Sequence, residues 1–263
     1  MVVTLACILG MASARENFDA ARFARAIITL FLSQAHVGMT NDYLDRALDA
    51  QAQPNKPIAR GLVKPNEARA LIIAAFIAML AFALTLGPIG FILALLGTFA
   101  GQIYNFKLRG TPNSWVAYVM GFSVLPFFVW DAASSFSWTY VLMFPMGIPL
   151  VFAAHLAQTL PDVETDRALG VFGFAASLGR ARAALLLWFV LIAAHAIAFA
   201  SGYWLSSNLQ ILFAAMLGSL VLIGASAVIY YTRRDHTSSK IVFQLVSPSA
   251  LILVAGWLAS LKN

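Results

Sequence analysis

The pattern that most constrains this chain is a series of eight apolar blocks, each about 17–25 residues long, set apart by charged or Gly/Pro-marked breaks. A hydrocarbon layer of about 30 Å is crossed by roughly 20 helical residues, so blocks of this length predict transmembrane helices. The expected spans lie near 20–40, 68–87, 89–105, 114–132, 138–160, 183–203, 208–231 and 241–261. Residues 1–14 are also apolar, but at about 1.5 Å per residue they are too short to cross. They read as a short membrane helix, a signal-peptide core, or the remainder of a helix that starts outside this sequence. The signal-peptide reading fits poorly, because no basic residue precedes the run. Only 11% of residues are charged, against roughly 25% in soluble domains. The expectation is one all-α integral membrane domain over residues 1–263, with about nine transmembrane helices, the first short or truncated.

The net charge of +6 would suit a nucleic-acid partner, but its distribution points to a bilayer and to no nucleic acid. Counting the doubtful first segment as span one, the loops after spans two, four, six and eight carry thirteen of the seventeen Lys and Arg. They are Arg46, Lys56, Arg60, Lys64, Arg69, Lys107, Arg109, Arg167, Arg180, Arg182, Arg233, Arg234 and Lys240. The intervening loops carry none, which is the positive-inside alternation and places the basic loops in the cytoplasm. Arg15, Arg22 and Arg25 run against it. The single cysteine, Cys7, excludes an intramolecular disulfide.

Six of the eleven acids fall in two runs, Asn41-Asp42-Tyr43-Leu44-Asp45-Arg46-Ala47-Leu48-Asp49 and Asp162-Val163-Glu164-Thr165-Asp166-Arg167-Ala168-Leu169. Both lie at the cytoplasmic ends of spans, the second and the sixth, and share the pattern (N/D)xxxDRAL. The echo suggests two duplicated four-helix halves around a central cavity. If each span continues as a helix, Asn41, Asp45 and Asp49 fall on one face, and so do Asp162 and Asp166. Like charges so spaced repel, and acids at a helix C-terminus oppose its dipole. Two such stripes facing each other could hold Mg²⁺ through carboxylates, waters and phosphate oxygens. The basic candidates for a phosphate are Lys56, Arg60, Lys107, Arg109, Arg180 and Arg182, each of which could instead serve lipid headgroups.

The runs NDYLDRALD, NKPIARG and DVETD, with this topology, resemble the UbiA superfamily of intramembrane prenyltransferases, whose signatures are NDxxDxxxD and DxxxD. The resemblance covers nearly the whole chain. It implies that Asn41, Asp45, Asp49, Asp162 and Asp166 bind two Mg²⁺ ions clamping an isoprenyl diphosphate, with Asp42 at the remaining acidic position of the first signature. It also implies ionisation to an allylic carbocation, which a lipophilic acceptor attacks. Tyr104 and Lys107 match a Tyr-x-x-Lys pattern on the fourth helix, where the ring would steady the cation and the lysine the diphosphate. Three features depart from the family: Lys56 replaces an arginine, Arg60 replaces a serine, and the first helix, which contributes to the acceptor pocket, is short. An alternative within the resemblance is a terpene cyclase. From the residues alone, a divalent-cation transporter is a more remote one, since no acid marks the middle of a span. His36, His155 and His195 read as packed residues, His236 as a loop residue, Asp131 as interfacial, and Glu164 as facing away from the stripe.

Overall fold

A computed structural model describes residues 2–13, 16–205, 208–233 and 235–261. Arg15 and Arg234, two of the charges counted above, lie outside them. The helices in chain order are α1 (Val2–Ser13), α2 (Ala20–Ala52), α3 (Pro65–Leu84), α4 (Gly87–Ile103), α5 (Ser114–Ala132) and α6 (Trp138–Val141). There follow α7 (Phe144–Thr159), α8 (Val163–Ala168), α9 (Phe174–Leu178), α10 (Arg180–Leu205), α11 (Leu209–Arg233) and α12 (His236–Ser260). No strand occurs among the described residues.

Six of these segments are long and apolar enough to cross a membrane: α3, α4 with the turn after it, α5, α10, α11 and α12. Their outward faces carry side chains such as Leu71, Ile77, Ile92, Phe99, Leu185, Phe189, Leu217 and Val228, which are exposed as lipid-facing residues are. The chain is an integral membrane protein. α2 is less uniformly apolar, since Arg22, Arg25, Ser33, Gln34 and His36 interrupt the stretch that precedes the first acidic run. It begins where Asp19 caps the amides of Ala21 and Arg22 at 2.9 and 3.0 Å. Residues 20–41 then cover about 32 Å, so the acids begin where the hydrocarbon ends.

α2 packs on α3, α4 on α5, α7 on α10, and α11 on α12. Alanines allow the close approach of α7 and α10: Ala153 and Ala157 on one, Ala183, Ala184, Ala194 and Ala198 on the other, all buried. Trp257 and Leu253 of α12 complete that core. α3 and α4 are joined across Thr85 and Leu86, with Gly87 at φ +85°, a conformation that costs glycine no Cβ clash. α1 lies against α5 and α12.

The two expected helical continuations differ. α2 runs unbroken through Asp49 to Ala52. α7 stops at Thr159, and Leu160–Asp162 form a 3-10 turn before the short helix α8. Pro161 accounts for the break: it has no N–H to donate, and its ring crowds the preceding turn. The second run is therefore a turn and a separate short helix.

Candidate active site

One end of the bundle gathers the loop between α2 and α3, the turn after α4, the segment from α7 to α10, and the start of α12. They surround a cavity of about 490 Å³, within the range of small-molecule sites. Its mouth is lined by Asn41, Asp49, Lys56, Tyr104, Arg109, Asp162 and Asp166. Its depth is lined by Leu30, Leu93, Ala94, Phe122, Leu125 and Phe128. Thr29 to Asn41 on α2 is twelve residues, so the cavity extends about 18 Å along that helix.

In the first acidic run each carboxylate that points inward has a cation. The loop after α2 folds back through Lys56 N to Gln53 O at 3.1 Å and Arg60 N to Lys56 O at 2.9 Å. Lys56 Nζ thereby reaches Asp42 Oδ1 at 2.9 Å and Asp49 Oδ2 at 3.0 Å. Burial alone would lower the lysine's pKa; the hydrogen bonds and charges of Asp42 and Asp49 outweigh it and hold the pKa above the ordinary value. Arg109 pairs with Asp45, which is buried behind the cavity wall and whose Oδ2 has no hydrogen-bond partner. Asn41 donates from Nδ2 to Asn105 Oδ1 at 3.2 Å, and Asn105 is anchored on Val37 O at 2.9 Å. That leaves the Asn41 carbonyl oxygen to accept.

Among the described residues the second run has no such pairing. Asp162 and Asp166 line the same mouth, and among the described residues the nearest basic group to Asp162 is His236 Nε2 at 3.9 Å. Burial and then the Asp162 charge push the Asp166 pKa up to about 6, with Arg109 pulling the other way. Gly170, at φ +72°, ends α8 and turns the chain so that Val171, Gly173 and α9 return to the cavity wall. Glu164 is exposed.

The turn after α4, Tyr104–Leu108, is a π-helix, closed by Arg109 N on Tyr104 O at 2.7 Å. An i→i+5 turn brings residues five apart to one side, so Tyr104 and Arg109 both face the cavity. A regular helix would have favoured the i, i+3 pair of Tyr104 and Lys107; here Lys107 is exposed and outside the lining. Arg60 and Arg182 are also exposed and outside it. Arg180 is occupied elsewhere, donating to Asp235 O at 2.9 Å and to Ser239 Oγ. Tyr118 and Gln158, bonded to each other, and Thr159 line the cavity although no motif marks them. Tyr118 stacks on Phe122 and lies against the ring of His155, which is bonded to Ser114 at 3.1 Å. His36 bonds Ile72 O and His195 bonds Leu191 O and Ser219, as packed histidines do.

Among the described residues no three His, Cys, Asp or Glu side chains converge as a ready-made metal cage. The donor set nonetheless suits Mg²⁺, which is usually held by one or two carboxylates plus waters and substrate phosphates. Asp45 Oδ2, which has no hydrogen-bond partner although Arg109 pairs with the other oxygen, the carbonyl end of Asn41, and Asp162 and Asp166 are hard oxygen donors that a metal could use.

Comparison with known proteins bears on the family and the fold. The sequence profile described as the UbiA prenyltransferase family matches residues 1–257. A digeranylgeranylglyceryl phosphate synthase of Methanoregula boonei is 31% identical over 207 residues, 72% of this chain and 71% of that protein. One from Natronomonas pharaonis is 28% identical, and the match covers 56% of this chain and 54% of that relative. The chain thus spans about half the length of several relatives it matches. A UbiA homolog from Archaeoglobus fulgidus bound to GPP and Mg²⁺ shares the fold with a TM-score of 0.76 at 15% identity, covering 99% of this chain and 95% of that one.

Proposed function

The chain belongs to the UbiA prenyltransferase family, and on that premise we propose that it transfers an isoprenyl group from its diphosphate to a lipophilic acceptor, in an Mg²⁺-dependent reaction at the cytoplasmic side of the bilayer. The observation that carries this reading is one cavity, about 18 Å long, that joins a mouth of carboxylates and cations to a depth lined largely by apolar side chains. A substrate that suits both ends has a polyanionic head and a hydrocarbon tail. The carbonyl oxygen of Asn41 and the carboxylates of Asp42, Asp45, Asp49, Asp162 and Asp166 would hold two Mg²⁺ ions. When bound, the metal stabilises charge on the departing diphosphate.

Lys56 and Arg109, paired with carboxylates in the free protein, turn to diphosphate oxygens once those carboxylates have a metal, Arg109 through its two-pronged fork. The exposed Arg60, Lys107 and Arg182 raise the anion concentration near the mouth. The C1–oxygen bond breaks with its electron pair on the diphosphate, and the allylic cation left behind is steadied by the Tyr104 ring. The acceptor's nucleophile bonds to C1 and releases a proton. The apolar wall keeps water from capturing the cation first.

The test incubates membranes containing the protein with geranyl, farnesyl and geranylgeranyl diphosphates, with Mg²⁺ or EDTA. Geranylgeranylglyceryl phosphate is the first acceptor to try, since the relatives named above are digeranylgeranylglyceryl phosphate synthases. Mg²⁺-dependent consumption of one donor, lost in Asp45→Ala and in Asp166→Ala, is the expected result. Undiminished consumption in EDTA would overturn the metal mechanism, and consumption without any acceptor would indicate a cyclase.

A further inference from the structure

At the end of the bundle opposite the acidic runs, one guanidinium joins three helices. Arg22 Nη1 donates to Asp131 O at 2.5 Å and to Ser134 Oγ at 3.2 Å; Nη2 donates to Leu86 O at 3.1 Å and to Asp131 Oδ2 at 2.8 Å. The first turn of α2 is thereby tied to the turn between α3 and α4 and to the last turn of α5. This pairing also explains why Arg22 breaks the positive-inside pattern: its charge is matched by Asp131.

The three tied segments belong to the helices that wall the apolar depth of the cavity, and the deepest lining residue of each stands close above the tie. Thr29 lies two turns from Arg22, Leu93 two turns from Leu86, and Phe128 one turn before Asp131. Along α2 and α5, Ala26, Val129 and Trp130 separate these lining residues from the tie, and they are buried, as is Leu86 in the tie itself. Packed side chains, held from beneath by one arginine, close that end. Helix ends leave carbonyls without intrahelical partners, and the planar fork of arginine can meet two carbonyls and a carboxylate at once, which an ammonium cannot.

We propose that Arg22 is a positioning residue that sets the depth of the closed end, and with it the longest isoprenyl chain the cavity accepts. The proposal rests on the reading of the cavity as an isoprenyl diphosphate site. Without the tie the far ends of α2, α4 and α5 separate, Phe128 and Leu125 relax outward, and longer chains fit.

The test measures kcat and KM of the purified, Mg²⁺-loaded protein with donors from geranyl diphosphate to chains longer than geranylgeranyl. Arg22→Met should shift the ratio of kcat/KM for the longest over the shortest donor upward by roughly tenfold, the low end of what one methylene of pocket room is worth, and do so through KM. Arg22→Lys, which keeps the Asp131 pair but not the fork, should fall between. Phe128→Ala should shift the ratio in the same direction without touching the tie. Equal loss at every chain length in Arg22→Met, or an unchanged length profile in Phe128→Ala, overturns the proposal. If Arg22→Met does not fold, Arg22→Lys and Phe128→Ala decide it alone. If the unmodified protein consumes no isoprenyl diphosphate, the transferase reading falls and takes this proposal with it.

Discussion

The two acidic runs share four residues in the same register, yet they solve the problem of crowded carboxylates in opposite ways. In the first, α2 stays helical, and Asp42, Asp45 and Asp49 each have Lys56 or Arg109 against them. In the second, the helix is broken at Pro161, and Asp162 and Asp166 face one mouth with no lysine or arginine paired to them among the described residues. Every carboxylate of the first run thus has a paired cation, Lys56 being shared by two. The second holds Asp162 and Asp166 close enough to repel, which makes it the half of the site that a metal should change most.

The largest test of that contrast pairs Asp49→Asn with Asp166→Asn. Both should lower Mg²⁺-dependent diphosphate release by about 100-fold, the upper range for losing an interaction that holds a metal. In the metal-free protein they should part. Asp49→Asn leaves Lys56 with one fewer carboxylate in a buried place and should cost about 1–3 kcal/mol of stability. Asp166→Asn removes a charge that repels Asp162, so the unfolding midpoint in EDTA should hold steady or rise. Equal destabilisation by both changes would erase the distinction between the runs.

Proton competition sharpens it next. The folded-state pKa of Asp166, about 6, lies above its ordinary value of 3.8. Between those values the metal-free folded state holds a proton that the unfolded chain has lost, so stability falls as pH rises from about 4 to about 6. Metal needs the ionised form, so Mg²⁺ affinity should fall by roughly tenfold per pH unit below 6. Titration of Mn²⁺ binding by electron paramagnetic resonance at several pH values reads this directly, and Asp166→Asn should flatten the dependence. A profile that stays level from pH 7 to 5 in the unmodified protein would mean that the second run is not where metal and proton compete.

How much of this was visible in the sequence follows from the physics of each part. Apolar blocks of membrane length located the long helices, because no other structure satisfies backbone groups in hydrocarbon, and α10, α11 and α12 fall within a few residues of their expected bounds. Asn41, Asp49, Lys56, Tyr104, Arg109, Asp162 and Asp166 line one mouth, while Asp42 and Asp45 stand outside its lining; spacing along each helix end is a local property, and the meeting of the two runs is not. The break at Pro161 was legible in principle, since proline seldom continues a helix, but the echo of the first run argued for continuity. The π-turn was not legible: nothing in Tyr104-Asn105-Phe106-Lys107-Leu108 announces an extra residue per turn, and that turn decides that Arg109 rather than Lys107 faces the cavity. Tyr118 and Gln158 meet across 40 residues, and Arg22 meets Asp131 across 109. Contacts of that kind depend on how helices pack, which residue spacing along one segment does not encode.

The smallest expected effect bears on the cation shared in the first run. Lys56 sits where two carboxylates converge, at 2.9 and 3.0 Å, so in the free protein it occupies the electrostatic place of a cation. Lys56→Met should lower metal-free stability by about 1 kcal/mol, because the pair is partly open to solvent but Asp49 is not. The same substitution removes a competitor for Asp42 and Asp49, so Mg²⁺ affinity without substrate should rise, by roughly fivefold if the competing interaction is about 1 kcal/mol. The donor's KM should rise as well, since the diphosphate loses a cation. Lys56→Arg keeps the charge and should leave the metal affinity near that of the unmodified protein. Opposite signs for metal and donor in Lys56→Met would show one side chain alternating between two anions. If both affinities fall together, Lys56 is merely part of the wall, and the pairing in the first run owes nothing to a movable cation.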